Sequence, residues 1–200
     1  MKRAIYTQRV EVVETYKERR DCADQRIAEF IWKAGFLPVP VPNNNAFIDE
    51  FVNEINPSII VLVGGNSLVK YGGNAPERDE TDENLLNIAV ERRIPLYGFC
   101  RGMQSILNFF GNELVAVDGH VAVHHDVVGE EKSINVNSYH NQGCMELKNE
   151  QLTVVLRSRD GVVEKIKHRS LPIVGTMWHP ERENPFRAGD LMLLKKLLEN

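Results

Sequence analysis

One cysteine of the chain lies in a pattern that is typical of a nucleophile. Cys100 is the centre of the segment G-F-C-R-G at 98–102, which joins an apolar strand-like run to an apolar helix-like run. This is the cysteine counterpart of the G-x-S-x-G turn between a strand and a helix. Gly98 and Gly102 fit, because a Cβ two residues from the nucleophile would clash in so sharp a turn. A helix N-terminus behind the sulfur would favour the thiolate. The alternative is a structural cysteine buried at a strand end.

A second segment, His179-Pro180-Glu181, could supply the base that a cysteine nucleophile needs. Proline holds the residue before it extended, and residues two apart in an extended chain point to the same side. His179 and Glu181 can therefore project into one site, where the carboxylate would orient the imidazole. In isolation the ordinary interpretation of H-P-E is a surface turn. Its position after an apolar run favours a site, because sites in open α/β sheets form beyond the carboxyl ends of strands.

An oxyanion formed during acyl transfer needs two hydrogen-bond donors. The backbone N–H of Arg101, directly after the nucleophile, is the first candidate. The second is the N–H of Gly65, because Gly64-Gly65 ends the apolar run at 58–63 and glycine lets a backbone group approach a ligand closely. A simple turn is the alternative for this glycine pair.

The elements that must position these residues alternate between strands and helices. Strands are predicted at 4–6, 37–41, 58–63 and 95–99, and helices at 23–33, 47–55, 82–92 and 105–110. After Gly111 the segments 121–123, 133–136, 152–156 and 162–166 are short and strand-like, followed by a buried strand at 171–177 and a helix at 187–198. The alternation predicts an α/β, doubly wound, mostly parallel sheet with helices on both faces and a small antiparallel extension. No linker divides the chain, so we expect a single domain over 1–200.

Composition excludes several classes of protein. The chain has 200 residues, 26% of them charged, and a formal net charge of -4, which does not suit binding to nucleic acid. No apolar stretch near the N-terminus is long enough for a signal peptide or a membrane span, so we expect a cytoplasmic protein. The three cysteines are widely and irregularly spaced, which argues against a disulfide framework. Cys22 and Cys144 lack the context of Cys100 and are expected to be structural.

Histidines 120, 124 and 125 raise the question of a metal site. No carboxylate or thiol stands at ligand spacing to them, so a solvated loop is the favoured interpretation, and we expect no metal and no cofactor. His140 is not expected to act as the base, because no carboxylate lies at orienting spacing. Near the N-terminus, Arg19 and Arg20 belong to a locally basic stretch. They could contact phosphates of a substrate, or they could simply be solvated.

Together these segments resemble the class I glutamine amidotransferase superfamily. The resemblance rests on the strand ending in Gly64-Gly65, the segment G-F-C-R-G-M-Q at 98–104 and the distal H-P-E, in this order. It implies a flavodoxin-like sheet and a triad of cysteine, histidine and glutamate. It also implies that Gln104 helps to hold a glutamyl group. The segment V-N-S-Y-H-N-Q at 136–142 is similar to the loop that binds the glutamyl α-carboxylate and α-amine, a role that falls on Ser138 and Tyr139, largely through backbone groups.

Within the superfamily, P-E-R-D at 76–79 and V-N-S-Y-H at 136–140 resemble the γ-glutamyl-γ-aminobutyrate hydrolase branch. The chain also resembles hydrolases that act on a γ-glutamyl nucleotide amidate in bacterial capsule biosynthesis. The resemblance implies a free-standing hydrolase of a small γ-glutamyl substrate that releases glutamate through a thioester. The chain is shorter than typical members of the branch, and its segment 16–21 differs from theirs, so the leaving group stays open. The alternative is a glutaminase subunit that supplies ammonia to a separate synthetase. A homo-oligomer is also left open.

Overall fold

The protein folds around one large sheet in a computed structural model that describes residues 1–130 and 133–199. The strands are Arg3–Tyr6 (β1), Arg9–Val13 (β2), Glu18–Cys22 (β3), Leu37–Pro40 (β4), Ile59–Leu62 (β5), Leu96–Phe99 (β6), Val115–Ala116 (β7), Val121–Val128 (β8), Ser133–Tyr139 (β9), Gln142–Gly143 (β10), Leu152–Ser158 (β11), Val163–His168 (β12) and Ile173–Thr176 (β13). The α-helices are Gln25–Lys33 (α1), Ile48–Ile55 (α2), Pro76–Arg92 (α3), Arg101–Phe109 (α4) and Ala188–Lys196 (α5). Short 3-10 turns cover Asn45–Phe47, Val69–Tyr71 and Pro180–Arg182.

The large sheet has the strand order β4-β1-β5-β6-β13-β12-β11-β8-β9. Its first five strands are parallel to one another, and numbered along the chain they give the order 2-1-3-4-5, which is that of flavodoxin-like folds. From β12 onward the neighbours pair antiparallel. The predicted α/β architecture with an antiparallel extension is therefore confirmed.

The centre of the sheet is buried on both faces, because β5 and β6 consist of apolar or small residues that are inaccessible to water. Alternate residues of these strands belong to two separate apolar clusters, one covered by α2, α3 and α4 and the other by α1 and α5. Helix α1 contributes the predicted stripe of Ile27, Phe30 and Ile31, all three buried. The helices thus cover opposite faces, as a doubly wound sheet requires.

Two elements differ from the sequence prediction. The chain from Arg9 to Cys22 forms an antiparallel hairpin of β2 and β3, which the sequence analysis did not predict. Strand β3 is charged and mostly exposed, so it lacks the alternation of apolar residues that identifies a strand. Helix α3 begins at Pro76 instead of residue 82, and the proline and the acidic first turn are the signals for that earlier start.

Among the described residues, no helix combines the length and the apolar composition that crossing a bilayer requires.

Candidate active site

The candidate site lies beyond the carboxyl ends of three adjacent parallel strands. Gly64 follows β5, Cys100 follows β6 directly, and His179 follows β13 after two buried residues. Strands β5, β6 and β13 are neighbours in the sheet, so segments far apart in the sequence end at one edge. The strand order therefore brings the thiol, the imidazole and the glycine pair together.

The backbone at Cys100 is held in a sharp turn. Its φ of 50° and ψ of −112° lie in a region that side-chain-bearing residues rarely adopt. A Cβ at Gly98 would lie 2.7 Å from the carbonyl carbon of Gly102, and a Cβ at Gly102 would lie 2.0 Å from the carbonyl oxygen of Leu62. Both glycines are thus required sterically, as the pattern predicts. Helix α4 begins at the next residue, so its N-terminus faces the sulfur.

His179 connects the thiol to a carboxylate. Its imidazole lies within hydrogen-bonding range of Cys100, and its Nδ1 is 2.7 Å from Oε1 of Glu181. Burial acts to lower the pKa of His179, but the negative charges of Cys100 and Glu181 and their hydrogen bonds outweigh burial and raise this pKa to about 10. An imidazolium between two anions stabilises the thiolate that a nucleophile needs.

Two residues to which the sequence analysis gave no individual role hold this part of the chain in place. The side chain of Asn137 accepts a hydrogen bond from the backbone N–H of His179 and donates one to its carbonyl oxygen, both at 2.9 Å. Arg26, from α1, donates to the carbonyl oxygens of Glu181 and Glu183 at 2.7 and 2.6 Å. These contacts fix the backbone from 179 to 183, and they could not be inferred because the partners are more than 40 residues apart.

The glycine pair is fixed by a buried arginine. Arg78 is inaccessible to water and donates to the carbonyl oxygens of Val63, Gly64 and Gly65 at 2.7, 2.9 and 2.5 Å. Burial lowers the pKa of Arg78 to about 9, so the side chain still carries its charge at neutral pH. Because C=O and N–H point in opposite directions in a trans peptide, binding the Gly64 carbonyl turns the N–H of Gly65 away from Arg78. The P-E-R-D segment was the available signal for this residue.

A pocket of about 270 Å³ opens above the sulfur. It is lined by Gly65, Asn66, Ser67, Cys100, Arg101, Gln104, Tyr139, His140, Asn141, Gln142, His179 and Arg182. The two predicted oxyanion residues and the predicted glutamyl contacts Gln104 and Tyr139 are among them. Arg101 is the first residue of α4, so its N–H has no partner within the helix. The side chain of Arg101 is buried and pairs with Asp79 and Asp82.

The remaining predicted contacts lie around the pocket. Ser138 is buried and its hydroxyl donates to the carbonyl oxygen of His120 at 2.7 Å, so its side chain faces the protein. Arg19 pairs with Glu77 and Arg20 with Glu18, both on the surface. Neither arginine is among the described residues that line the pocket. Arg182 lines it instead, with its guanidinium 4.0 Å from the ring centre of Tyr139, and the sequence analysis missed it.

A flavodoxin-like sheet that presents a cysteine on a strand-to-helix turn, beside a histidine and a glutamate, defines a class of α/β proteins. Comparison with known proteins places the chain within it. The model of the family "Glutamine amidotransferase class-I" matches residues 20–197, and the chain belongs to this family.

Three similar proteins illustrate the relationship. A γ-glutamyl-CDP-amidate hydrolase from Campylobacter jejuni is 32% identical over 183 residues, which cover 89% of each chain. A γ-glutamyl-γ-aminobutyrate hydrolase from Escherichia coli is 31% identical over 189 residues, 74% of each chain. A crystal structure from Thermoplasma acidophilum, described as that of one subunit of a GMP synthase, superposes with a TM-score of 0.72 at 20% identity, over 100% of this chain and 94% of that one, and supports the fold.

Proposed function

We propose that this chain hydrolyses the γ-glutamyl amide bond of a small conjugate through a thioester on Cys100 and releases glutamate. The observation that carries the proposal is the contact of Cys100 with His179, whose other ring nitrogen is 2.7 Å from Glu181, at the base of a polar pocket. The names of the relatives from Campylobacter jejuni and Escherichia coli support the choice of bond.

In the first half of the proposed reaction, the thiolate of Cys100 attacks the γ-carbonyl carbon of the substrate. The N–H groups of Gly65 and Arg101 donate to the resulting oxyanion, a contribution that is typically worth about 10²–10³ in kcat for each donor. The imidazolium of His179 then protonates the nitrogen of the leaving group. The carbon–nitrogen bond breaks, the amine departs and a thioester remains on the sulfur.

In the second half, the now neutral His179 removes a proton from water. The hydroxide attacks the thioester carbon, the same two N–H groups stabilise the oxyanion, and the carbon–sulfur bond breaks. Glutamate leaves and the thiolate–imidazolium pair is restored. Glu181 keeps the imidazole oriented and stabilises its positive charge throughout.

For the glutamyl half of the substrate, the proposal uses the wall formed by Gln104 and the loop after β9. The amide of Gln104 donates to the carbonyl oxygen of Gln142 at 3.1 Å, which holds this loop against α4. Ser138 secures the start of the loop from behind, and Tyr139 covers the imidazole at 5.7 Å between ring centres. Backbone groups of the loop are thereby held in position to bind the α-carboxylate and the α-amine.

We extend the proposal to γ-glutamyl-CDP-amidate as the substrate. Support comes from the relative of that name, which the chain matches over 89% of both lengths. Arg182 is the candidate cation for its phosphates, because it lines the pocket and is 37% exposed. Arg19 and Arg20 would have to exchange their carboxylate partners for the substrate.

Kinetics on two substrates test which arginine contacts the leaving group. Replacing a phosphate contact should weaken only the nucleotide amidate, by about 1.5–3 kcal/mol in kcat/KM, and spare a plain γ-glutamyl amide. We expect this from Arg182→Ala and compare it with Arg19→Ala and Arg20→Ala. Equal losses on both substrates would exclude a phosphate contact. Gln104→Ala, in contrast, should weaken every γ-glutamyl substrate alike.

The test of the hydrolase itself is turnover by the purified chain alone. Released glutamate is measured with γ-glutamyl-CDP-amidate, γ-glutamyl-γ-aminobutyrate and glutamine, and Cys100→Ser is the negative control. We expect turnover of a γ-glutamyl conjugate without any partner protein. A chain that is idle alone but hydrolyses glutamine when a synthetase is added would instead be an ammonia donor. The 26% identity to the glutamine-hydrolysing subunit of a GMP synthase from Methanosphaera stadtmanae is the observation behind that second candidate.

Two further points belong to the proposal. We place residues 1–200 in one domain, because the two apolar clusters share strands of the same sheet. We place the protein in the cytoplasm, since its three cysteines are free thiols, as a reducing compartment would keep them.

A further inference from the structure

Three polar side chains meet in the interior behind the loop that follows β9. His120 lies just before β8, His140 just after β9, and Glu164 within β12, and all three are at least 97% buried. Their facing atoms form a nearly equilateral triangle. The edges are 3.3 Å from His120 Nδ1 to His140 Nε2, 3.4 Å from His120 Nδ1 to Glu164 Oε1, and 3.3 Å from His140 Nε2 to the same oxygen. The sequence analysis expected His120 in a solvated loop, and its burial overturns that expectation.

The outer nitrogen of each imidazole has a partner that can only accept a hydrogen bond. Nε2 of His120 is 2.9 Å from the carboxylate of Asp160, and Nδ1 of His140 is 3.1 Å from the carbonyl oxygen of Gln142. Each of these outer nitrogens must therefore carry the proton of a neutral ring. The inner nitrogens, His120 Nδ1 and His140 Nε2, are then lone-pair acceptors.

Three acceptors consequently converge on one point, because the carboxylate of Glu164 is an acceptor as well. No described residue donates a well-directed hydrogen bond to either oxygen of Glu164. Burying a carboxylate without partners is among the costliest arrangements in a protein. A cation at the centre of the triangle removes this conflict for all three atoms at once.

The dimensions of the triangle favour a tetrahedral ion. Zn²⁺ bound at 2.0–2.1 Å to each ligand places neighbouring ligand atoms about 3.3–3.4 Å apart, as the three edges are. An octahedral ion at the same bond lengths would need edges of about 2.8–3.0 Å. The outer partners fit as well, since histidines that bind a metal usually donate their other N–H to a carboxylate or a backbone carbonyl.

We propose that His120, His140 and Glu164 bind a divalent transition metal ion, Zn²⁺ by preference, and that this site is separate from the thiol site. His125 approaches the same oxygen at 3.5 Å but does not lie close enough to both other donor atoms to join the triangle. The fourth position of the tetrahedron is left for water. Because His140 also lines the pocket above Cys100, the bound ion would stiffen the loop that forms its wall.

The experiment measures metal binding in a chain without the competing thiol. A Cys100→Ser protein, stripped with a chelator, is titrated with Zn²⁺ against a chromophoric chelator and with Co²⁺, whose visible absorption reports tetrahedral coordination. We expect one ion per chain. At a free Zn²⁺ concentration of 100 Kd, the Tm should rise by about 5–10 °C.

Variants in the same background locate the site. Glu164→Gln preserves the shape of the side chain but removes its charge, and it should lower the affinity for Zn²⁺ by more than about 100-fold. Asp160→Asn, an outer partner, should cost about 10–100-fold. The matched control is His124→Ala, an exposed histidine next to the cluster, which should leave the affinity unchanged.

Three results would overturn the proposal. The first is the absence of Zn²⁺ binding and of a Tm shift, which would leave a shared proton to hold the cluster together. The second is unchanged affinity in Glu164→Gln, which would place the ion elsewhere. If Glu164→Gln does not fold, His120→Asn is the second variant, and unchanged affinity in it would also contradict the assignment. Because the readout is metal binding in a variant without the nucleophile, its failure is independent of the proposed hydrolase activity.

Discussion

Gly64 offers a direct test of how strictly the imidazole must be positioned. A Cβ at this residue would lie 2.6 Å from Cε1 of His179, whereas an ordinary contact needs at least 3.4 Å. The side chain of His179 must therefore move by about 0.8 Å in Gly64→Ala. Its Nδ1 is only 2.7 Å from Glu181, so a shift of this size disrupts that hydrogen bond or the contact with Cys100.

The magnitude follows from the geometry. A misplacement of about 1 Å at a reacting group costs about 10²-fold in rate, so kcat/KM of Gly64→Ala should fall by about two orders of magnitude. Gly64 does not have a positive φ, so alanine fits its backbone and the fold should persist. The assay is the release of glutamate from a γ-glutamyl amide, combined with the thermal unfolding of each variant.

Controls separate a local steric effect from a general effect of alanine. Gly189→Ala adds a Cβ that meets nothing within 4 Å, and it should behave like the wild type in both measurements. Gly102→Ala, whose Cβ would lie 2.0 Å from a backbone oxygen, should fail to fold normally. A folded Gly64→Ala protein that keeps wild-type kcat/KM would refute the argument that His179 is the base and is held within tenths of an ångström.

Three further predictions concern the proposed triad. Cys100→Ala should lower kcat by about 10⁶, whereas Cys144→Ala, a buried cysteine outside the site, should keep turnover; a folded Cys100→Ala protein that remains active would end the assignment. His179→Ala should be more damaging than Glu181→Gln, because the histidine transfers the proton and the glutamate only orients it; the reverse order in kcat would contradict these roles. In Cys100→Ala, NMR titration should show the pKa of His179 well below the wild-type value of about 10, since burial then opposes Glu181 alone. A pKa raised in the folded state stabilises the fold at low pH, and this contribution is lost as the pH rises toward about 10, so an unchanged pKa in the variant would exclude the thiolate–imidazolium pair.

The amino-acid sequence determined the local features of this protein. The apolar run before Cys100 and the glycines around it specify a sharp turn from a strand into a helix, because only glycine tolerates the close backbone contacts there. The buried runs at 58–63 and 95–99 specify central parallel strands, since only a sheet covered on both faces buries four apolar or small residues in a row. The order of glycine pair, cysteine turn and H-P-E was enough to predict the family.

Only the tertiary structure decided which distant residues support these features. Arg78 binds the carbonyl oxygens of the glycine pair, and Asn137 binds the backbone of His179, through contacts that no spacing in the sequence encodes. The hairpin of β2 and β3 escaped prediction, because the charged strand β3 carries no apolar alternation. The cluster of His120, His140 and Glu164 joins three strands of the antiparallel extension. Pairing of strands sets such meetings, and a pairing register depends on the whole sheet, so residues 20 or more positions apart become neighbours only once the chain has folded.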